Sequence, residues 1–260
     1  MSEINNPAGR LQTIVESGRG QPKDHRAFQV WPTILGIEER GKSDLLRHVG
    51  SVMTLPADIQ EQIKQIGGID HDLFLRWAPK VESAFSALNL QSRWGQFIDK
   101  FDGEVMYGIE LCSHTLSQNS PQTNVDHAQV GSLLLEVNEL LNEVVNSSNI
   151  NAHLRRFIIG RLRDVRIALE EYQVLGSRAI EKEVEALIGA ITRRPDLWKE
   201  SRKTTVGDKF WRFMGRVAVV MTISVGTIQI GSNTVNMLSN PEQDDTFPHE
   251  GRASDETQEV

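Results

Sequence analysis

The sequence predicts an all-α protein: a helical-bundle body, a C-terminal apolar helix long enough to cross a membrane, and a disordered acidic tail. Three observations carry this expectation. Apolar residues recur every three or four positions through most of the chain, as a helix with one buried face requires. No Asn-Gly or Asp-Gly signal stands between alternating runs, so nothing points to a β-hairpin in the body. Val217 to Leu238 gives 22 consecutive residues without a charge, in a chain of which 24% is charged.

Composition bounds the rest. At 260 residues the chain can bury a core without staples, and its single cysteine, Cys112, excludes a disulfide framework or a multi-cysteine zinc site. The first twenty residues lack the basic start and apolar core of a secretory signal, and Ser2 breaks the myristoylation pattern. The net charge of −7 argues against direct nucleic-acid binding, but it is unevenly spread. Residues 239–260 hold seven acids against Arg252 alone, whereas Arg193 to Arg216 contains eight bases and three acids.

Residues 1–42 are rich in Gly, Pro and Asn and read as a flexible lead. Within it, Phe28 to Ile37 is an apolar island whose Pro32 and Gly36 predict an extended segment that docks Trp31 on the body. A first helical subdomain is expected over 43–118. Leu45, Leu46, Val49 and Met53 begin it at helical spacing, and Pro56 suits the first turn of a second helix ending at Gly67. Asp70 is the expected N-cap of the next element, in which Leu73, Trp77, Val81, Phe85 and Leu88 recur and Pro79 predicts a kink or break one turn before it. Trp94, Phe97 and Ile98 form a short amphipathic piece, and Asp102 caps a helix carrying Val105, Ile109, Cys112 and Leu116.

After the turn-rich Ser117 to Asn124, a second subdomain over 124–193 reads as three antiparallel helices. Their inward stripes are Leu133, Val137, Leu140, Leu141, Val144 and Val145, then Leu154 through Tyr172, then Ile180 through Ile191. A basic aromatic segment follows over 194–216, then the 217–238 stretch and the 239–260 tail.

No catalytic signature emerges, and neither enzyme activity nor a cofactor is expected. Cys112 and His114 stand two apart, which on a helix points them in different directions. The triplet Asp70, His71, Asp72 fits helix capping better than metal binding, and no HExxH or phosphate-binding glycine pattern occurs. The run Arg155, Arg156, Arg161, Arg163 and Arg166 reads first as a solvated face partly paired with Asp164, Glu170 and Glu171. Its functional alternative is an anion contact with acidic lipid, a nucleotide or an acidic partner.

The uncharged stretch carries the functional expectation. At about 1.5 Å per residue, 22 helical residues reach the ~30 Å of a hydrocarbon layer. Thr222, Gly226, Gln229, Asn233 and Asn236 fall on one arc of about 80°, which makes a small, polar stripe suited to helix–helix assembly or a water-filled path. Lys209, Trp211, Arg212 and Arg216 lead into the stretch as expected interface anchors, and this charge order places the body inside. The same polar residues keep three other readings open: a plain single anchor, a helix or hairpin buried in the soluble core, and a helix lying flat on a membrane.

Together these features suggest a membrane-associated helical effector that assembles in and permeabilises a membrane. Its layout is analogous to toxins and cell-death or antiviral-defence effectors. The expected site is the inner or cytoplasmic membrane, with the body in the cytoplasm. The expected partners are lipid, further copies of the chain, and a protein or nucleotide trigger. The alternative is a membrane-anchored or soluble helical adaptor or sensor.

Overall fold

A computed structural model describes residues 5–37, 41–119 and 125–225. The described residues are all-α and pack around two apolar cores. The first lobe contains α1 (Pro7–Arg19), α2 (Ala27–Leu35), α3 (Lys42–Lys64), α4 (His71–Phe74), α5 (Ala78–Ser86), α6 (Trp94–Ile98) and α7 (Gly103–Asn119). The second contains α8 (His127–Asn146), α9 (Ala152–Glu170), α11 (Ser177–Arg193), α12 (Pro195–Ser201) and α13 (Thr205–Val225). The short α10 (Tyr172–Leu175) joins them, with Val174 in the first core and Tyr172 in the second.

Helix α1 corrects the expectation of a flexible lead. Asn6 caps it by accepting from the Gly9 amide at 2.9 Å, and Pro7 occupies the first turn, where its missing N–H costs nothing. Ala8, Leu11, Ile14 and Val15 are then buried against α2, α3, α6 and α7. Gly18 lets Trp94 come close: a Cβ there would lie 2.7 Å from the indole, whose N–H donates to the Gly18 carbonyl.

Two prolines lie inside helices, where the sequence predicted an extended segment around Pro32 and a helix start at Pro56. The segment around Pro32 is helical, not extended, because losing one hydrogen bond near the end of a nine-residue helix is outweighed by seating Trp31 edge-on against Trp94 at 5.2 Å. Trp31 does dock on the body as expected, and Gly36 at φ 63° closes the helix. Likewise α3 runs through Pro56 without ending, since Val52, Leu55, Ile59 and Ile63 keep one buried stripe on both sides of it. That stripe leaves Leu46 and Met53, expected inward, 50% and 42% exposed. The expected break before Pro79 is present, as α4 ends at Phe74 and α5 opens with the proline in its first turn. Asp70 and Asp102 cap as expected, accepting from the amides of Leu73 at 3.2 Å and Val105 at 3.1 Å.

In the second lobe α8 packs along α9, α11 along α9, and α13 along both α8 and α11. The pairs Lys209–Glu143 and Arg216–Glu136 run in opposite directions along the two chains, so α13 lies antiparallel to α8. The predicted stripes of α8, α9 and α11 are buried, except that Phe157 and Ile188 are only partly buried and Val145 is exposed.

Candidate functional site around the C-terminal helix

The site begins at the elbow between α12 and α13. Gly207 packs so tightly against the end of α12 that a Cβ would sit 2.0 Å from the Ser201 carbonyl oxygen. The Trp211 indole N–H donates to Ser201 Oγ at 2.6 Å, and the Arg202 guanidinium lies 5.6 Å and 6.0 Å from the centroids of Trp198 and Trp211. Burial lowers the pKa of Arg202, and Asp208 at 3.3 Å opposes that shift. These contacts aim α13 back along the lobe.

Past the elbow, Phe210, Trp211, Phe213, Met214, Val217, Ala218 and Met221 form one buried face in the second core. Trp211 is 0% exposed, so in this conformation it is a core residue, where a membrane-interface position was expected. A tryptophan beside basic residues suits either setting, and the Ser201 hydroxyl supplies the indole partner that burial requires. The cations expected to face lipid headgroups are engaged with acids. Lys209 reaches Glu143 at 2.7 Å, Arg212 reaches Asp208 at 2.9 Å, and Arg216 pairs with Glu136. Beside this ladder lies a mainly apolar groove of about 400 Å³, lined by Leu133 of α8 and by Gly215, Val219 and Val220 of α13.

Helix α13 crosses from Arg216 into Val217 without interruption and continues to Val225. The start of the uncharged stretch is therefore an extension of a helix that the body holds. The polar stripe lies beyond what is described, except that the backbone of Thr222 is helical; Gly226, Gln229, Asn233 and Asn236 fall outside the described residues. Among the described residues no helix is long and apolar enough to cross a membrane.

The arginine run of α9 is divided. Arg161 pairs with Asp164 at 2.9 Å and Arg166 stands 3.9 Å from Glu170, as the solvated-face reading expects. Arg155 donates to the Ser147 carbonyl at the end of α8, Arg156 donates to the Ala152 carbonyl of its own helix, and Arg163 is exposed. The five do not converge on one point.

Sequence reasoning missed the hub between the lobes. Arg10 is 7% exposed and donates through Nε to the Val174 carbonyl at 2.7 Å and through Nη2 to the Leu175 carbonyl at 3.2 Å. Burial lowers its pKa to about 10. Gly176, at φ 68°, leaves room for this side chain, since a Cβ there would lie 2.4 Å from Arg10 Nη1. Arg47 of α3 binds Glu171 at 2.6 Å and Glu170 at 2.8 Å, and the Ser51 hydroxyl donates to Glu171 at 2.9 Å. Two clefts flank the hub. One, of about 380 Å³, is bordered by Arg10, Thr13, His127 and Tyr172. The other has the same volume and is bordered by Asp58, Asp164, Arg178 and Glu183.

The remaining chemical candidates make contacts within the first lobe. Cys112 is buried, accepts from the Trp77 indole at 3.4 Å and lies 3.4 Å from the Phe74 carbonyl, and burial raises its pKa. His114 is exposed and bonds Gln118, away from the thiol. His71 bonds the Ile66 carbonyl, and no cluster able to hold a metal ion exists among the described residues. No family model, curated protein or solved structure matches the chain.

Proposed function

We propose that this protein is a non-catalytic membrane-directed effector: a cytoplasmic helical body that delivers the 217–238 stretch to the inner or cytoplasmic membrane, where further copies assemble and permeabilise it. The observation supporting this is the unbroken passage of α13 from the second core into that stretch. A continuous helix transmits any displacement of the second lobe along α13 into Val217–Val225, the start of that stretch. The polar stripe of Gln229, Asn233 and Asn236 supplies the chemistry, because amides in hydrocarbon gain bonds only from one another or from water.

Cells expressing the full chain are expected to lose membrane potential, followed with a voltage-sensitive dye. Replacing Gln229, Asn233 and Asn236 with Leu should retain the membrane fraction but abolish that loss. Full potential in cells whose membranes contain the unaltered chain would overturn the permeabilising activity. The second reading, a helical adaptor or sensor, is favoured by a different observation: Trp211, Val217, Ala218 and Met221 are packed as core residues.

A further inference from the structure

We infer that the second lobe is a holding site for the membrane segment, so that docking of Val217, Ala218 and Met221 in its core and crossing of a bilayer by 217–238 exclude each other. This rests on the membrane reading and adds a regulation to it. The exclusion is a matter of length. If the three residues stay docked, at most 222–238 remain to cross, and as a helix these 17 would cover about 26 Å, less than the ~30 Å hydrocarbon layer and at the lower end of the ~17–25 residues that spanning helices use. The full 22 residues cover about 33 Å and suffice. Crossing the full thickness of the layer therefore requires the end of α13 to leave α8 and α11.

Leaving is opposed by burial. Val217 and Ala218 are 0% exposed and Met221 1%. Returning three such side chains to water lowers the population of the released end on the order of a thousandfold. The Arg216–Glu136 pair adds a smaller restraint at the point where α13 enters the uncharged stretch. Insertion reverses the burial penalty by placing the same side chains in hydrocarbon, and anionic headgroups offer Arg216 a replacement for Glu136. The body thus lowers the apparent affinity of the chain for membranes without blocking it, and a trigger that loosens the second lobe raises that affinity.

Leu133, on the α8 side of the groove beside Val219 and Val220, reports the departure directly because it is 5% exposed while α13 is docked. In the full chain carrying Leu133→Cys, a water-soluble maleimide should label the new thiol slowly in buffer. In the fraction bound to excess phosphatidylglycerol vesicles, labelling should be at least tenfold faster. Hydrogen exchange of the α8 amides in the unaltered chain gives the same readout and should accelerate on binding, which covers a Leu133→Cys variant that folds poorly. Bound chain that keeps the thiol and the α8 amides protected would overturn the holding site while leaving membrane association intact. Chain that never binds vesicles would overturn the membrane reading itself, and the holding site with it.

Discussion

Replacing Arg10 with Met tests how the two lobes are joined. The guanidinium donates to the carbonyls of Val174 and Leu175, and its Nη1 donates to the Asn5 carbonyl at 3.2 Å and Oδ1 at 3.1 Å. Methionine fills similar space and offers no donor. Each buried carbonyl left without a partner costs about 1–3 kcal/mol. Part of that loss is offset, because burying the charge is itself unfavourable enough to lower the pKa to about 10. A net loss of about 2–4 kcal/mol is expected. In a chain of this length that corresponds to a fall in Tm on the order of 10 °C. Since Val174 belongs to the first core and Tyr172 to the second, loosening α10 should also separate one unfolding transition into two. Differential scanning calorimetry reads both effects. A single transition within about 1 °C of the unaltered protein would show that Arg10 does not couple the lobes.

Gly207→Ala should destabilise the second lobe by about 2 kcal/mol or more in urea unfolding, because the added methyl meets the Ser201 carbonyl at 2.0 Å and displaces the elbow that seats Trp211. Cys112 should react with maleimide at pH 8 about 100-fold more slowly in the folded chain than in urea, since burial both shields the thiol and raises its pKa. Asp58 and Glu183 in the inter-lobe cleft have pKa values raised, first by burial, above the ordinary 3.8 and 4.5. The folded chain therefore binds their protons more tightly than the unfolded chain, and these two groups favour folding more as pH falls through their folded values toward the ordinary ones. Asp58→Asn with Glu183→Gln should flatten that part of the stability profile, measured by urea unfolding across the mildly acidic range.

What could be read from the residues follows a physical division. The stripes of α8, α9 and α11 were legible because each buries a regular face against neighbours close in sequence, and Asp70 and Asp102 because capping is local. Helix α1 was obscured by the residues that begin it: Asn6 and Pro7 serve a loop or a helix start equally well, and Leu11, Ile14 and Val15 form too short a stripe to decide. Pro32 and Pro56 misled because tertiary packing outweighs the loss of a single hydrogen bond. The Arg10 contact had no local signal, as its acceptor is a backbone carbonyl 164 positions away. Trp211 was ambiguous in principle, since an amphipathic ring suits an interface or a polar notch in a core, and Ser201 decides between them only once α12 has folded. The stripe from Gly226 to Asn236 lies outside the described residues, so its alignment remains a property of the sequence.

Flotation of the purified protein with phosphatidylglycerol vesicles over rising lipid concentration tests the central claim most directly, comparing the full chain with one ending at Val225. The shorter chain keeps all of α13 and its buried face. The full chain should float in increasing proportion as lipid is added, while the shorter chain stays at the bottom. Equal behaviour of the two at saturating lipid, floating or not, would contradict a membrane role for residues 226–238, which carry Gln229, Asn233 and Asn236.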